Sequence, residues 1–237
     1  MKKRCYDCGI KLNKHNKTKE HIPAQNLFSG YSHEYKTNRL TVPACNKCNS
    51  KYSKIDQEIR DVIGVINNKN ENQKEITQKA IKNIMRFRNW QKRVDMYGKE
   101  TIENISVSFS YENLKQLHIK NFKGVFYYKY QIPLPENYYT EIIAEGDETD
   151  TKLTLIKEMF KDYLNEKPWS ESGHKDIFSF KSSMIKLNKP NFKYDFSETQ
   201  NVDESDFIVA EFYYHNSINP MVFAAKNTIL NKVKTNI

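Results

Sequence analysis

Cys5-Tyr6-Asp7-Cys8, Glu20-His21-Ile22-Pro23 and Cys45-Asn46-Lys47-Cys48-Asn49 stand in that order near the start of the chain, and they hold all 4 of its cysteines. Two Cys-x2-Cys knuckles have the spacing that closes a tetrahedral site of four thiolates around zinc. Such a site holds together a loop-rich segment too small to bury a core of its own. Two disulfides are the other way to use four cysteines. The x2 spacing at both ends, with no cysteine elsewhere, favours Cys5, Cys8, Cys45 and Cys48 as zinc ligands in a reducing compartment.

Outward from the knuckles, Thr18 to Ile22 reads as a short strand ending at Pro23. Residues 24–38 read as a polar loop dotted with aromatics, and Leu40-Thr41-Val42 as a second strand stopped by Pro43. From about Asn46 the period changes: Tyr52, Ile55, Ile59, Val62 and Ile63 recur at helical spacing. The expected order is strand, loop, strand, helix over residues 1–64, stapled by zinc at both ends.

Residues 65–237 read as a larger α+β body, so the chain as a whole is expected to be α+β. Asn67 to Gln73 is a polar linker. A helix follows, with Ile76, Ala80, Ile84, Phe87 and Val94 on its apolar face and Arg86, Arg88 and Arg93 as phosphate-contacting candidates. Ile105-x-Val107-x-Phe109 alternates like a strand. A helix is expected over 112–128, a strand over Tyr138 to Ala144, a helix over Lys152 to Leu164, and strands over Phe207 to Tyr214 and Met221 to Ala225. The cluster Phe126-Tyr127-Tyr128-x-Tyr130 reads as core, with base stacking as its functional alternative.

The net charge of +9 is unevenly placed. Residues 1–60 carry 13 Lys and Arg against 5 Asp and Glu, whereas residues 121–237 carry 14 against 17. A lysine-rich composition alone says little about partners. Its concentration around the cysteine and histidine motifs suits a polyanion. The basic start leads into no apolar run and no stretch has the length of a membrane span, so a soluble, cytoplasmic chain without a membrane partner is expected.

Hydrolysis of a phosphodiester needs a base for water, a cation for the developing charge and an orienting group. His21 suits the first task, because an imidazole keeps a neutral fraction at cellular pH. Glu20 points to the opposite face of an ideal strand, so both serve one site only where the strand bends.

Taken together, Cys5-x2-Cys8, Glu20-His21-Ile22-Pro23, Asn38-x-Leu40 and Cys45-x2-Cys48-Asn49-x-Lys51 resemble the HNH endonucleases. These have the ββα-metal fold, here in the form embedded in a treble-clef-like four-cysteine zinc site. The resemblance covers about residues 5–60. It implies His21 as general base, Glu20 and Asn49 as oxygen ligands of one catalytic Mg²⁺ or Mn²⁺, and Asn38 as the asparagine that steadies the loop and the histidine. The zinc would be structural. Glutamate before the histidine and asparagine in the last position depart from many members, and the asparagine oxygen favours a hard cation. Lys47, Lys51 and Lys54 are candidates for nucleic-acid contact, and His15 and His33 for an accessory base or ligand. The implied substrate is DNA, with RNA open. A second copy or a defence-system protein is the implied protein partner, in a bacterial or phage setting. Zinc-stabilised binding or interaction modules without catalysis are the other readings.

Overall fold

The computed structural model describes residues 3–28, 33, 39–66, 74–86, 94–97, 104–107, 110–143, 151–165, 170–174, 178–187, 196–214 and 219–229. Asn38, Phe87, Arg88, Arg93 and Phe109 lie outside them, as does the linker Asn67 to Gln73. The elements mix helix with antiparallel sheet, so the chain is α+β. They fall into two compact units, Met1–Gly124 and Val125–Ile237. The boundary expected near Gly64 from the strand and helix pattern falls inside the first of these units.

In the first unit, β1 (Lys17–His21) and β2 (Thr41–Cys45) form a two-stranded antiparallel ribbon, followed without a break by α1 (Asn46–Ile66). A 3-10 turn over Gln25–Phe28 buries Leu27 and Phe28. Pro43 does not stop β2, contrary to expectation, but pairs with Lys19 in the ribbon. Proline lacks only the N–H, and the outer edge of a two-stranded ribbon needs none there. The Pro43 carbonyl is used instead, accepting the Tyr6 N–H at 2.9 Å and tying the first knuckle to β2.

Helix α2 (Lys74–Arg86) packs along α1. Asp61 of α1, fully buried, accepts both Asn83 Nδ2 contacts at 3.2 Å and an N–H from Arg60 Nε at 2.8 Å. The apolar stripe ends with this helix. Val94, expected on it, belongs to β3 (Val94–Tyr97), which pairs with β4 (Asn104–Val107).

Helix α3 (Tyr111–Tyr130) begins in the first unit. Its Gly124 is fixed by packing: a Cβ there would land on Cγ1 and Cδ1 of the fully buried Ile22, 2.5 Å from the latter. Gly to Ala in a helix ordinarily stabilises by about 1 kcal/mol. Here overpacking, about 1–3 kcal/mol, reverses the sign. Gly124→Ala is expected to lower the urea midpoint.

The second unit is built on an antiparallel sheet ordered β5-β10-β9-β7-β6, with β8 also on β7. Its strands are β5 (Tyr138–Ile143), β6 (Ser170–His174), β7 (Phe178–Leu187), β8 (Phe196–Glu198), β9 (Phe207–Tyr214) and β10 (Met221–Lys226). Against one face lies α4 (Thr151–Asn165), whose Phe160 and Leu164 pack with Ile143, Ile185, Phe207, Val209, Met221 and Phe223. The other face carries Phe178, Phe180, Phe212 and Tyr214, with the Phe178 and Phe212 rings stacked at 5.8 Å. Buried on both faces, β9 and β10 read as apolar runs, broken within β9 by Glu211. Phe126 and Tyr127 are core, as expected, whereas Tyr128 is exposed. Among the described residues no helix is long and apolar enough to cross a membrane.

Candidate functional site

The first knuckle is the tip of a small hairpin. Cys5 N–H donates to the Ile10 carbonyl at 2.9 Å, Gly9 N–H to the Cys5 carbonyl at 3.0 Å, and Gly9 has φ 69°, which only glycine adopts freely. The second knuckle straddles the junction of β2 and α1, where Cys45 ends the strand and Cys48 sits in the first helical turn. The register Lys17↔Cys45 places the two knuckles at the same end of the ribbon. All four Sγ atoms lie within 4.8 Å of one another. A tetrahedron with Zn–S bonds of about 2.3 Å has edges of about 3.8 Å, and Cys8 and Cys45 are 3.8 Å apart. Backbone N–H groups already point at the sulfurs, Cys45 to Cys5 Sγ at 3.3 Å and Cys48 to Cys45 Sγ at 3.4 Å. Such bonds stabilise thiolates and orient ligands. The four cysteines are compatible with a structural metal such as zinc.

Strand alternation separates the two central motif residues. Thr18 and Glu20 face inward, and Glu20 is buried; Lys17, Lys19 and His21 share the outer face, the lysines exposed and His21 half-buried. The register with β2 runs unbroken to His21↔Thr41, so no bend brings Glu20 and His21 onto one face within the strand. His21 Nδ1 is buried without a hydrogen-bond partner. Burial, and then the charges of Arg39, Lys19 and Lys120, hold the imidazole below its ordinary pKa. It is therefore neutral at pH 7, as a general base must be.

An NMR titration of His21 is expected to give a midpoint below 6.5, and the acidic limb of any activity should follow it. In the unfolded chain the imidazole protonates first as pH falls. Its contribution to stability is accordingly present above the unfolded value and lost as pH drops through the folded one.

Glu20 faces a buried polar cluster. Its Oε1 is 3.0 Å from Nζ of Lys120, a fully buried lysine of α3. The same ammonium donates to Asp56 of α1, at 2.6 Å to Oδ2 and 2.8 Å to Oδ1. Burial raises both carboxyls, and Lys120 opposes the rise in each. Close by, Asp7 of the first knuckle accepts Lys123 Nζ at 2.7 Å and the Tyr52 hydroxyl at 3.2 Å. Burial alone would raise Asp7, but Lys123 together with Cys48 and Lys51 outweighs it and the carboxyl is lowered. Lys120 and Lys123 thus tie α3 to the ribbon and to the knuckle.

Asn49 is on the same side as Glu20, and its Nδ2 donates to Thr18 Oγ1 at 3.2 Å. Lys47, Lys51 and Lys54 are exposed and follow one another at helical spacing on α1, with Lys51 Nζ 4.8 Å from the Tyr52 ring centre. Arg86 is exposed at the end of α2, and His15 and His33 are exposed. Sequence reasoning missed Asp7, Arg39, Asp56, Lys120 and Lys123. For Asp56 a signal existed, a carboxylate in step with Tyr52 and Ile59 on the buried face of α1.

Compared with protein-family descriptions, with curated proteins and with solved structures, the chain has no match.

Proposed function

We propose that the chain is a nuclease of the HNH kind, a phosphodiester hydrolase acting on DNA from a zinc-stapled ββα module. The observation that carries this reading is His21: a neutral imidazole at the end of β1, within the field of Arg39, Lys19 and Lys120, on a module whose four thiols converge at the other end of the ribbon. In this reading His21 takes the proton from water and the surrounding cations favour the phosphate. The exposed stripe Lys47, Lys51 and Lys54 supplies further contacts to the backbone.

A carboxylate and an amide oxygen are donors of the right kind for a hard divalent ion. Glu20 and Asn49 would hold Mg²⁺ or Mn²⁺ on the inner side of β1, so in this reading the ion's Lewis-acid stabilisation and the His21 base serve one phosphate only if Glu20 leaves Lys120. The inward placement of Glu20 on Lys120 favours a second reading, a zinc-stabilised nucleic-acid-binding module without catalysis.

Supercoiled plasmid separates the two readings. Zinc-loaded protein is expected to nick it when Mg²⁺ or Mn²⁺ is added. Salt-dependent binding without cleavage of plasmid, single-stranded DNA or RNA establishes the second reading instead.

A further inference from the structure

The outer face of β1 and the acids around it are kept apart. Within residues 1–45 the acids are Asp7, Glu20 and Glu34. Asp7 is taken by Lys123 and Tyr52, Glu20 by Lys120, and Glu34 lies outside the described residues. The charges that act on the His21 imidazole are those of Arg39, Lys19 and Lys120, all of them positive. Across the ribbon His21 is opposite Thr41 and Lys19 opposite Pro43, and neither partner brings a carboxylate. Arg39, ahead of β2, is 9% exposed, with its guanidinium carbon 4.8 Å from the centre of the Phe28 ring. A buried guanidinium seated on an aromatic ring is a fixed cation, unlike a surface lysine.

A proton acceptor among cations suits one phosphodiester better than the other. For DNA, water has to be bound and activated, which is work for a metal ion. In RNA the nucleophile is already in place beside the phosphate, and internal nucleophiles reach effective molarities of about 10⁵–10⁸ M. A base and fixed positive charge then suffice.

We propose that the His21 face cleaves single-stranded RNA by transesterification, without a divalent ion. His21 takes the proton of the 2′ hydroxyl, the 2′ oxygen bonds to phosphorus, and the bond from phosphorus to the 5′ oxygen breaks. The leaving 5′ oxygen takes a proton from water, and His21 returns its own to solvent, so no co-reactant is needed. The products are a 2′,3′-cyclic phosphate and a 5′ hydroxyl. Arg39 and Lys19 offset the charge that builds on the phosphate oxygens. The inference rests on the nuclease reading for His21 as base, and it needs neither Glu20 nor Asn49 as a ligand.

A 5′-labelled single-stranded RNA oligonucleotide and DNA of the same sequence test it. The buffer is freed of divalent ions on a chelating resin, so that no soluble chelator meets the zinc-loaded protein. The RNA is expected to be cut and the DNA not, with the cyclic phosphate found on the new ends by mass spectrometry. A single 2′-deoxy nucleotide should block cleavage at its own position, a control that needs no protein variant. His21→Ala should lower the rate by about 10²–10⁴-fold. Arg39→Gln should lower it too, while raising the NMR titration midpoint of His21, since a cation that depresses it is gone.

RNA left intact without Mg²⁺, or cut at a 2′-deoxy position, overturns the inference. If plasmid is then nicked once Mg²⁺ is added, the nuclease reading stands without it. If RNA is cut as described and DNA under no condition, the inference stands and the reading on DNA falls. If neither is cut with or without Mg²⁺, both fall.

Discussion

Withdrawal of a zinc held by the four cysteines is expected to unfold the ribbon and both knuckles. The ribbon of β1 and β2 has five residue pairs, and a two-stranded ribbon of that size is marginal in water. The second knuckle spans the junction of β2 and α1, and residues 3–16, which hold the first, lie in turns and one isolated bridge. Metal binding therefore acts as folding free energy, on the order of 10 kcal/mol for a structural zinc site. Purified chain should carry one zinc, and a strong chelator or Cys45→Ser should abolish amide protection across β1, β2 and the first turns of α1. Loss on acidification should follow as well, because protons compete for thiolates. A metal-free chain that keeps a cooperative melt and those protected amides rules the zinc staple out.

What could be read from the chain in advance divides along a physical line. Local patterns announced themselves: the two knuckles, the helical stripe of Tyr52, Ile55 and Ile59, and the apolar runs of β9 and β10, which are buried on both faces. Features that depend on distant partners did not. Strand β7 was missed because Lys181, Ser182 and Ser183 break its apolar pattern. Lys181 is nevertheless buried, since the sheet sets it opposite Glu211, a residue nothing in the local sequence indicates. The same limit applied at the site. Glu20 and His21 were legible as a pair, and their opposite orientation followed from strand alternation. That Glu20 meets Lys120 and Asp56 requires knowing where α3 lies. Pro43 misled in the opposite sense, because a chain-breaking residue is harmless on a strand whose N–H has no partner to lose.

Replacement of His21 by alanine is expected to lower nicking by about 10²–10⁴-fold, the range a general base contributes, while leaving zinc content and thermal melting nearly unchanged. The separation of the two effects is what makes the result informative. His21 is half-buried on the outer face of β1, and its Nδ1 makes no hydrogen bond, so truncation leaves no partner stranded. A histidine kept for packing would move stability and activity together. A catalytic base moves only the latter, and the pH dependence discriminates further. Wild-type activity should lose its acidic limb below 6.5, where the lowered His21 protonates, and the residual activity of the variant should lack that limb. Lys19 offers the control on the same face. Lys19→Ala should weaken binding and its salt dependence with little change in the pH profile, since a phosphate contact is electrostatic and transfers no proton. Equal nicking by wild type and a folded His21→Ala protein removes His21 from the chemistry and leaves the outer face of β1 as a binding surface.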